Sequence, residues 1–212
     1  EFTYLHPEAL DERCQVSGNR LEMNNKVNRE SYGILIVPSC HLISLSNLRK
    51  IKDFYDAGGI VLFTTRLPQK ALEVNGDSEV RRIIGDIFPA YEDDAWDLIQ
   101  NKNGGKAGFL PEPDALGMSE MLFWLNYDFD VSHTLEPDLQ YIHKIADGRN
   151  IYFFANKGRR EITSEITLRG ELRLEQWDPH TGKVTAIDCD YRKSSSSGSP
   201  VTVVKLKLKP CN

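Results

Sequence analysis

Between Tyr32 and Arg66 the chain changes its hydrophobic period twice. Tyr32-Gly33-Ile34-Leu35-Ile36-Val37-Pro38 is a short apolar run stopped by proline, which predicts a buried strand over 33–37. Ser44 or Ser46 can cap the helix that follows, where Leu45, Leu48, Ile51, Lys52 and Tyr55 recur every three to four residues and form one stripe. Ala57-Gly58-Gly59 then ends that helix and gives the backbone the freedom to enter a second strand at 60–63. Strand, helix, glycine turn and strand make a βαβ unit.

The same patterning predicts a helix over 78–87, with Val80, Ile83, Ile84 and Ile87 on one face, a third parallel strand at 106–110, and a helix over 114–125 after Pro113. Upstream, 8–14 reads as a short helix, and Leu21 and Met23 alternate with polar neighbours as in a hairpin arm. Residues 89–105 carry no clear period.

After Asp128 the period drops to two. The runs 139–145 and 150–156 alternate around Asp147-Gly148, a tight-turn pair, and 162–168, 172–176 and 201–208 alternate again. Glu171 to Val184 turns like an antiparallel hairpin, and 194–199 is a serine-rich loop. The expectation is an α/β domain over 1–130 and a small antiparallel β-sandwich over 131–212.

Composition narrows the function classes. At 40% hydrophobic and 27% charged the chain has an ordinary folded make-up, and a formal charge of -5 gives no footprint for nucleic acid. Lys205, Lys207 and Lys209 alternate with Val204, Leu206 and Leu208, as on the wet face of a strand. No apolar run is long enough to span a membrane, so no membrane partner is expected. The chain starts at Glu1 without an initiator methionine or signal pattern, so it is expected to begin inside a longer gene product or after processing. Cys14, Cys40, Cys189 and Cys211 lack metal-ligand spacing, and neither a metal nor a cofactor is expected.

Candidate chemistry is sparse. Cys40-His41 follows the first strand, where α/β folds place their sites, yet neighbours in sequence rarely orient as a nucleophile and base. Glu92-Asp93-Asp94 with Asp97 lacks the glycine and alternating oxygens of a calcium loop. Glu112 and Asp114 flank Pro113, and Asp114 is better placed to cap a helix than to serve in a glycosidase pair. No catalytic residue is assigned. Tyr152, Trp177 and His180 are the candidate glycan contacts. Against them stand core packing for Tyr152, and a role for Trp177 in covering the sandwich edge beside the Asp178, Pro179 and Gly182 turn.

The chain resembles the C-terminal accessory region of α-L-rhamnosidase-like glycoside hydrolases. The matching segments are Phe2-Thr3-Tyr4-Leu5-His6-Pro7-Glu8-Ala9-Leu10, Tyr32 to Pro38, Ala57-Gly58-Gly59-Ile60-Val61, Asn150-Ile151-Tyr152-Phe153-Phe154-Ala155-Asn156, and Leu174-Glu175-Gln176-Trp177-Asp178-Pro179-His180-Thr181-Gly182, in that order. The resemblance implies a catalytic barrel elsewhere in the same polypeptide, a secreted or periplasmic location, and a role as non-catalytic scaffold. It also implies a closing strand beyond Asn212, so that the sandwich would be truncated here. The first half is similar to the flavodoxin-like, class I glutamine-amidotransferase superfamily. Where active members carry a cysteine elbow, this chain has Thr64-Thr65-Arg66, which argues against amidotransferase chemistry. Two other readings stay open: a carbohydrate-binding module using Tyr152, Trp177 or His180, and a small enzyme using Cys40 and His41.

Overall fold

The computed structural model describes residues 3–24, 29–90, 95–125, 129–134, 136–179, 181–195 and 197–210. The chain separates into two compact units, Tyr4–Tyr127 on one side and Asp128–Asn212 with Glu1–Thr3 on the other.

The first unit opens with helix α1 (Pro7–Arg13), whose first turn is held by the His6 ring accepting from Glu8 N–H and by Pro7 at a position where no N–H is needed. Strands β1 (Cys14–Ser17), β2 (Arg20–Asn24) and β3 (Arg29–Tyr32) form an antiparallel sheet in that order, with Leu21 fully buried. Then come β4 (Ile34–Val37), β5 (Leu42–Ile43), α2 (Leu45–Asp56), β6 (Ile60–Thr64), β7 (Lys70–Ala71), α3 (Asp77–Ile87), β8 (Asp97–Gln100), β9 (Lys106–Leu110) and α4 (Ala115–Trp124). Ser44 is the N-cap of α2, its hydroxyl accepting from Asn47 N–H at 3.3 Å. Strands β5 and β7 make a short parallel pair.

The main sheet runs β4-β6-β9-β8. Three strands are parallel, and β8 pairs antiparallel with β9, so the sheet is mixed where an all-parallel one was expected. Strand β8 comes out of the segment that showed no period; its Leu98 is exposed and Ile99 half-buried, too weak an alternation to register in sequence.

Alternation along the strands divides two cores. Val61, Phe63, Ala107 and Phe109 face α2 and α3 and pack with Leu48, Ile51, Phe54, Val80, Ile83 and Ile87. Leu62 and Leu110 pack with Met121, Leu122 and Leu125 of the α4 segment. Each such large apolar side chain taken from water contributes about 1.5–3 kcal/mol, and Phe54, Phe63 and Phe109 are fully buried.

The second unit contains β10 (Val131–His133), β11 (Leu139–Ala146), β12 (Arg149–Asn156), β13 (Ile162–Arg169), β14 (Glu175–Trp177), β15 (Val184–Ala186), β16 (Asp190–Lys193) and β17 (Pro200–Leu208). A four-stranded antiparallel sheet runs β10-β13-β17-β16, and β11-β12 and β14-β15 are separate two-stranded hairpins. Asp147 and Gly148 both take positive φ, 50° and 72°, as a two-residue hairpin turn demands. Ile162, Ser164, Ile166 and Leu168 alternate inward along β13, and Tyr141, Tyr152 and Phe154 pack on the resulting core. Lys205 and Lys207 lie on the wet face of β17.

Two details differ from the sequence expectation. The 171–184 hairpin holds ladder pairing only at 175–177 with 184–186, while Leu172 and Leu174 pack on the core without belonging to a strand. Strand β16 carries no apolar alternation, and its residues are exposed, which hid it.

Candidate functional site

Trp177 ends β14 and pairs with Val184 of β15. The intervening turn is closed by Asp178, whose N–H donates to Lys183 O at 3.0 Å and whose O accepts from Gly182 N–H at 2.8 Å. Gly182 has φ 69°. The indole N–H reaches Glu175 Oε2 at 3.4 Å, and the ring is 67% exposed. It therefore stands in solvent, where covering of the sandwich edge was the competing reading. His180, the neighbouring candidate, lies outside the described residues.

Tyr152 points the other way. Register places it opposite His143, and the two rings stack with centroids 4.3 Å apart and planes 11° from parallel. His143 Nε2 donates to Asn150 Oδ1 at 2.9 Å, while Nδ1 lies 3.5 Å from Asp130 Oδ2. Asp130 also accepts from the Arg169 guanidinium of β13. Burial raises the Tyr152 phenol above its ordinary range, and the Asp130 charge adds to the rise. Asp130, His143 and Arg169 carry no site signal in the sequence. Pairing 139–146 against 149–156 across Asp147-Gly148 was the signal that could have placed His143 against Tyr152.

The remaining acid and thiol candidates have structural surroundings. Cys40 is half-buried against the first core, and burial pushes its thiol up, the reverse of an activated nucleophile. His41 contributes its carbonyl, which accepts from Gln69 and Lys70 N–H, both at 3.1 Å. Asp114 caps α4, accepting from Gly117 N–H at 2.6 Å. Glu112 is exposed, Asp97 begins β8, and Glu92, Asp93 and Asp94 lie outside the described residues. Other carboxylates hold helices and backbone: Glu79 grips Arg49 with two 3.0 Å bonds, Glu73 accepts from Leu45 N–H, and Asp77 accepts from Ala71 N–H. Among the described residues no three His, Cys, Asp or Glu side chains are grouped to hold a metal ion. Nor is any helix there long and apolar enough to cross a membrane.

At the end of β6, Thr65 takes φ 64°. A β-branched residue in that left-handed region costs about 1–3 kcal/mol. Its N–H donates to Leu110 O at 2.8 Å, which ties the bend to the end of β9.

Over residues 1–193 the chain matches the model of glycoside hydrolase family 106, described as alpha-L-rhamnosidase. No curated protein matches it. Among solved structures it is similar to the rhamnosidase from Novosphingobium sp. PP1Y, with 19% identity, a TM-score of 0.70, and coverage of 99% of this chain and 19% of that one. At that identity the likeness concerns the fold. Gan42B, a GH42 beta-galactosidase from G. stearothermophilus, is 14% identical over 84% of this chain and 32% of its own, at a TM-score of 0.48 that carries no argument. The chain thus spans about a fifth of the length of the rhamnosidase it matches.

Proposed function

The chain belongs to the alpha-L-rhamnosidase family of glycoside hydrolases, and on that premise we propose that it is a non-catalytic accessory segment of such an enzyme. The observation that carries this reading is the lopsided coverage: 99% of this chain is accounted for by 19% of a far longer rhamnosidase. Several carboxylates support it. Those at Asp114, Glu79, Glu73, Asp77 and Asp130 cap helices, pair with arginine or hold backbone, whereas glycoside hydrolysis needs two carboxyl groups facing one another across a sugar.

In this proposal residues 1–130 are a flavodoxin- or class I amidotransferase-like scaffold, supported by parallel β4, β6 and β9 between α2/α3 and α4. The bend at Thr65 keeps an elbow-like backbone with a threonine in place of a cysteine. Residues 131–212 are a β-sandwich. The partner is a catalytic barrel in the same polypeptide, and the enzyme works on plant or host glycans in the periplasm or outside the cell. A direct test compares that longer polypeptide with a version lacking this segment. The scaffold role predicts a melting temperature lower by several degrees without it; identical melting and turnover would overturn the role.

A second reading rests on the exposed Trp177: the β unit contacts glycan through this ring, with Tyr152 and His180 as the other candidates. Glycan-induced change in tryptophan fluorescence that Trp177→Ala abolishes is expected on that reading, and silence across a glycan panel contradicts it.

A further inference from the structure

The outward face of the β11–β12 hairpin has a composition that its position does not explain. A hairpin with one face on a core ordinarily turns polar side chains to water. Here Ile142 and Phe153 are directly opposed across the ladder on the outer face and stand 51% and 56% exposed. They line a shallow depression of about 440 Å³ together with His133, Leu139, Gln140, Tyr141 and Ala155.

Its chemistry is amphipathic and uncharged. Ring and aliphatic surface come from Phe153, Tyr141, Ile142, Leu139 and Ala155, polar groups come from Gln140 and His133, and no Asp, Glu, Lys or Arg lines it. His133 Nδ1 lies 2.6 Å from Thr134 O. A carbonyl only accepts, so the proton is on Nδ1, and in the neutral ring Nε2 is an acceptor. Gln140 offers both an acceptor and donors. An anionic or cationic ligand would find no counter-charge here, whereas a neutral sugar presents C–H surface for an aromatic ring and hydroxyls for amide and imidazole.

We infer that this face binds a neutral 6-deoxyhexose residue of a glycan, with Phe153 as the stacking platform, Ile142 and Ala155 against the sugar methyl, and Gln140 and His133 on its hydroxyls. The inference rests on the family reading for its sugar class, since a rhamnoside is a 6-deoxyhexoside. It differs from the earlier candidates in using the opposite side of β12 from Tyr152, whose ring is taken up by His143.

Saturation-transfer NMR on the full chain with methyl α-L-rhamnopyranoside tests it. Transfer strongest at the sugar methyl is expected, with affinity about fourfold lower for methyl α-L-mannopyranoside, the conversion of about 0.8 kcal/mol for one apolar group. Phe153→Ala should weaken binding about tenfold, and Gln140→Ala should weaken it less. Phe153 is exposed, so circular dichroism and melting of its alanine variant should match the parent; Ile142→Gln provides a second variant on the same face. Absence of transfer, as when another protein segment covers this face, overturns the inference. So does transfer lost with Trp177→Ala and kept with Phe153→Ala. Either failure leaves the accessory reading standing, because that reading turns on hydrolysis and stability.

Discussion

The His143 imidazole lies flat on the Tyr152 phenol, 4.3 Å between centroids, and both rings sit on the core side of the hairpin. This stacking spends on packing a tyrosine that sequence offered as a glycan contact. It also gives the second unit an alkaline weakness. Burial, then the Asp130 charge, raises the folded-state phenol above its unfolded value. Below the unfolded value, about 10, its contribution is fully present; as pH rises through the folded value it is lost, because the unfolded chain releases the proton more readily. Denaturation of the parent and Tyr152→Phe from pH 8 to 11.5 should show the parent losing stability faster above pH 10. Parallel curves would contradict the buried phenol.

Asp130 joins three elements of that unit: it precedes β10, pairs with Arg169 of β13 and faces His143 of β11. Asp130→Ala removes one acceptor of the exposed Arg169 guanidinium together with the carboxylate that faces His143, and should cost about 1 kcal/mol in urea denaturation, with Asp130→Asn costing less. A loss under 0.5 kcal/mol would mark the pair as an ordinary surface contact.

Gly59 enters β6 directly beneath a buried ring. A Cβ there would lie within 2.5 Å of Phe54 Cζ, inside contact distance of a fully buried side chain. Gly59→Ala should therefore destabilise the first unit by about 1–3 kcal/mol or more, measured as a lower denaturation midpoint. Gly85→Ala has open space at its Cβ inside α3 and should instead be neutral or stabilise by up to about 1 kcal/mol.

Thr65 stores backbone strain at φ 64° in an exposed position. Thr65→Gly relieves it and should raise stability by about 1 kcal/mol, the strain released less the glycine's added unfolded-state entropy. A clear loss of stability would mean that the side chain holds the bend through contacts worth more than the strain.

The elements with strong local signals were legible before the structure: the stripe of Leu48, Ile51 and Tyr55, the glycine pair at 58 and 59, the Asp147-Gly148 turn, and the cap at Asp114. Each is fixed by neighbours a few residues away. Strands β8 and β16 were not, because both sit at sheet edges with little apolar alternation of their own and owe their place to pairing with β9 and β17. The site was harder. Asp130, His143 and Arg169 are brought together only by strand register, and the exposure of Trp177 and Phe153 depends on what packs beside them.

The proposed role is that of a non-catalytic segment of a rhamnosidase-family enzyme. The measurement that bears on it most directly is hydrolysis of an aryl α-L-rhamnoside by the isolated chain, alongside the longer polypeptide proposed as its parent. Release of phenol by the longer polypeptide alone is the predicted result. Turnover by the isolated chain, proportional to its concentration, would contradict the claim, and the carboxylates of segments 92–97 and 112–114 would be the first to replace.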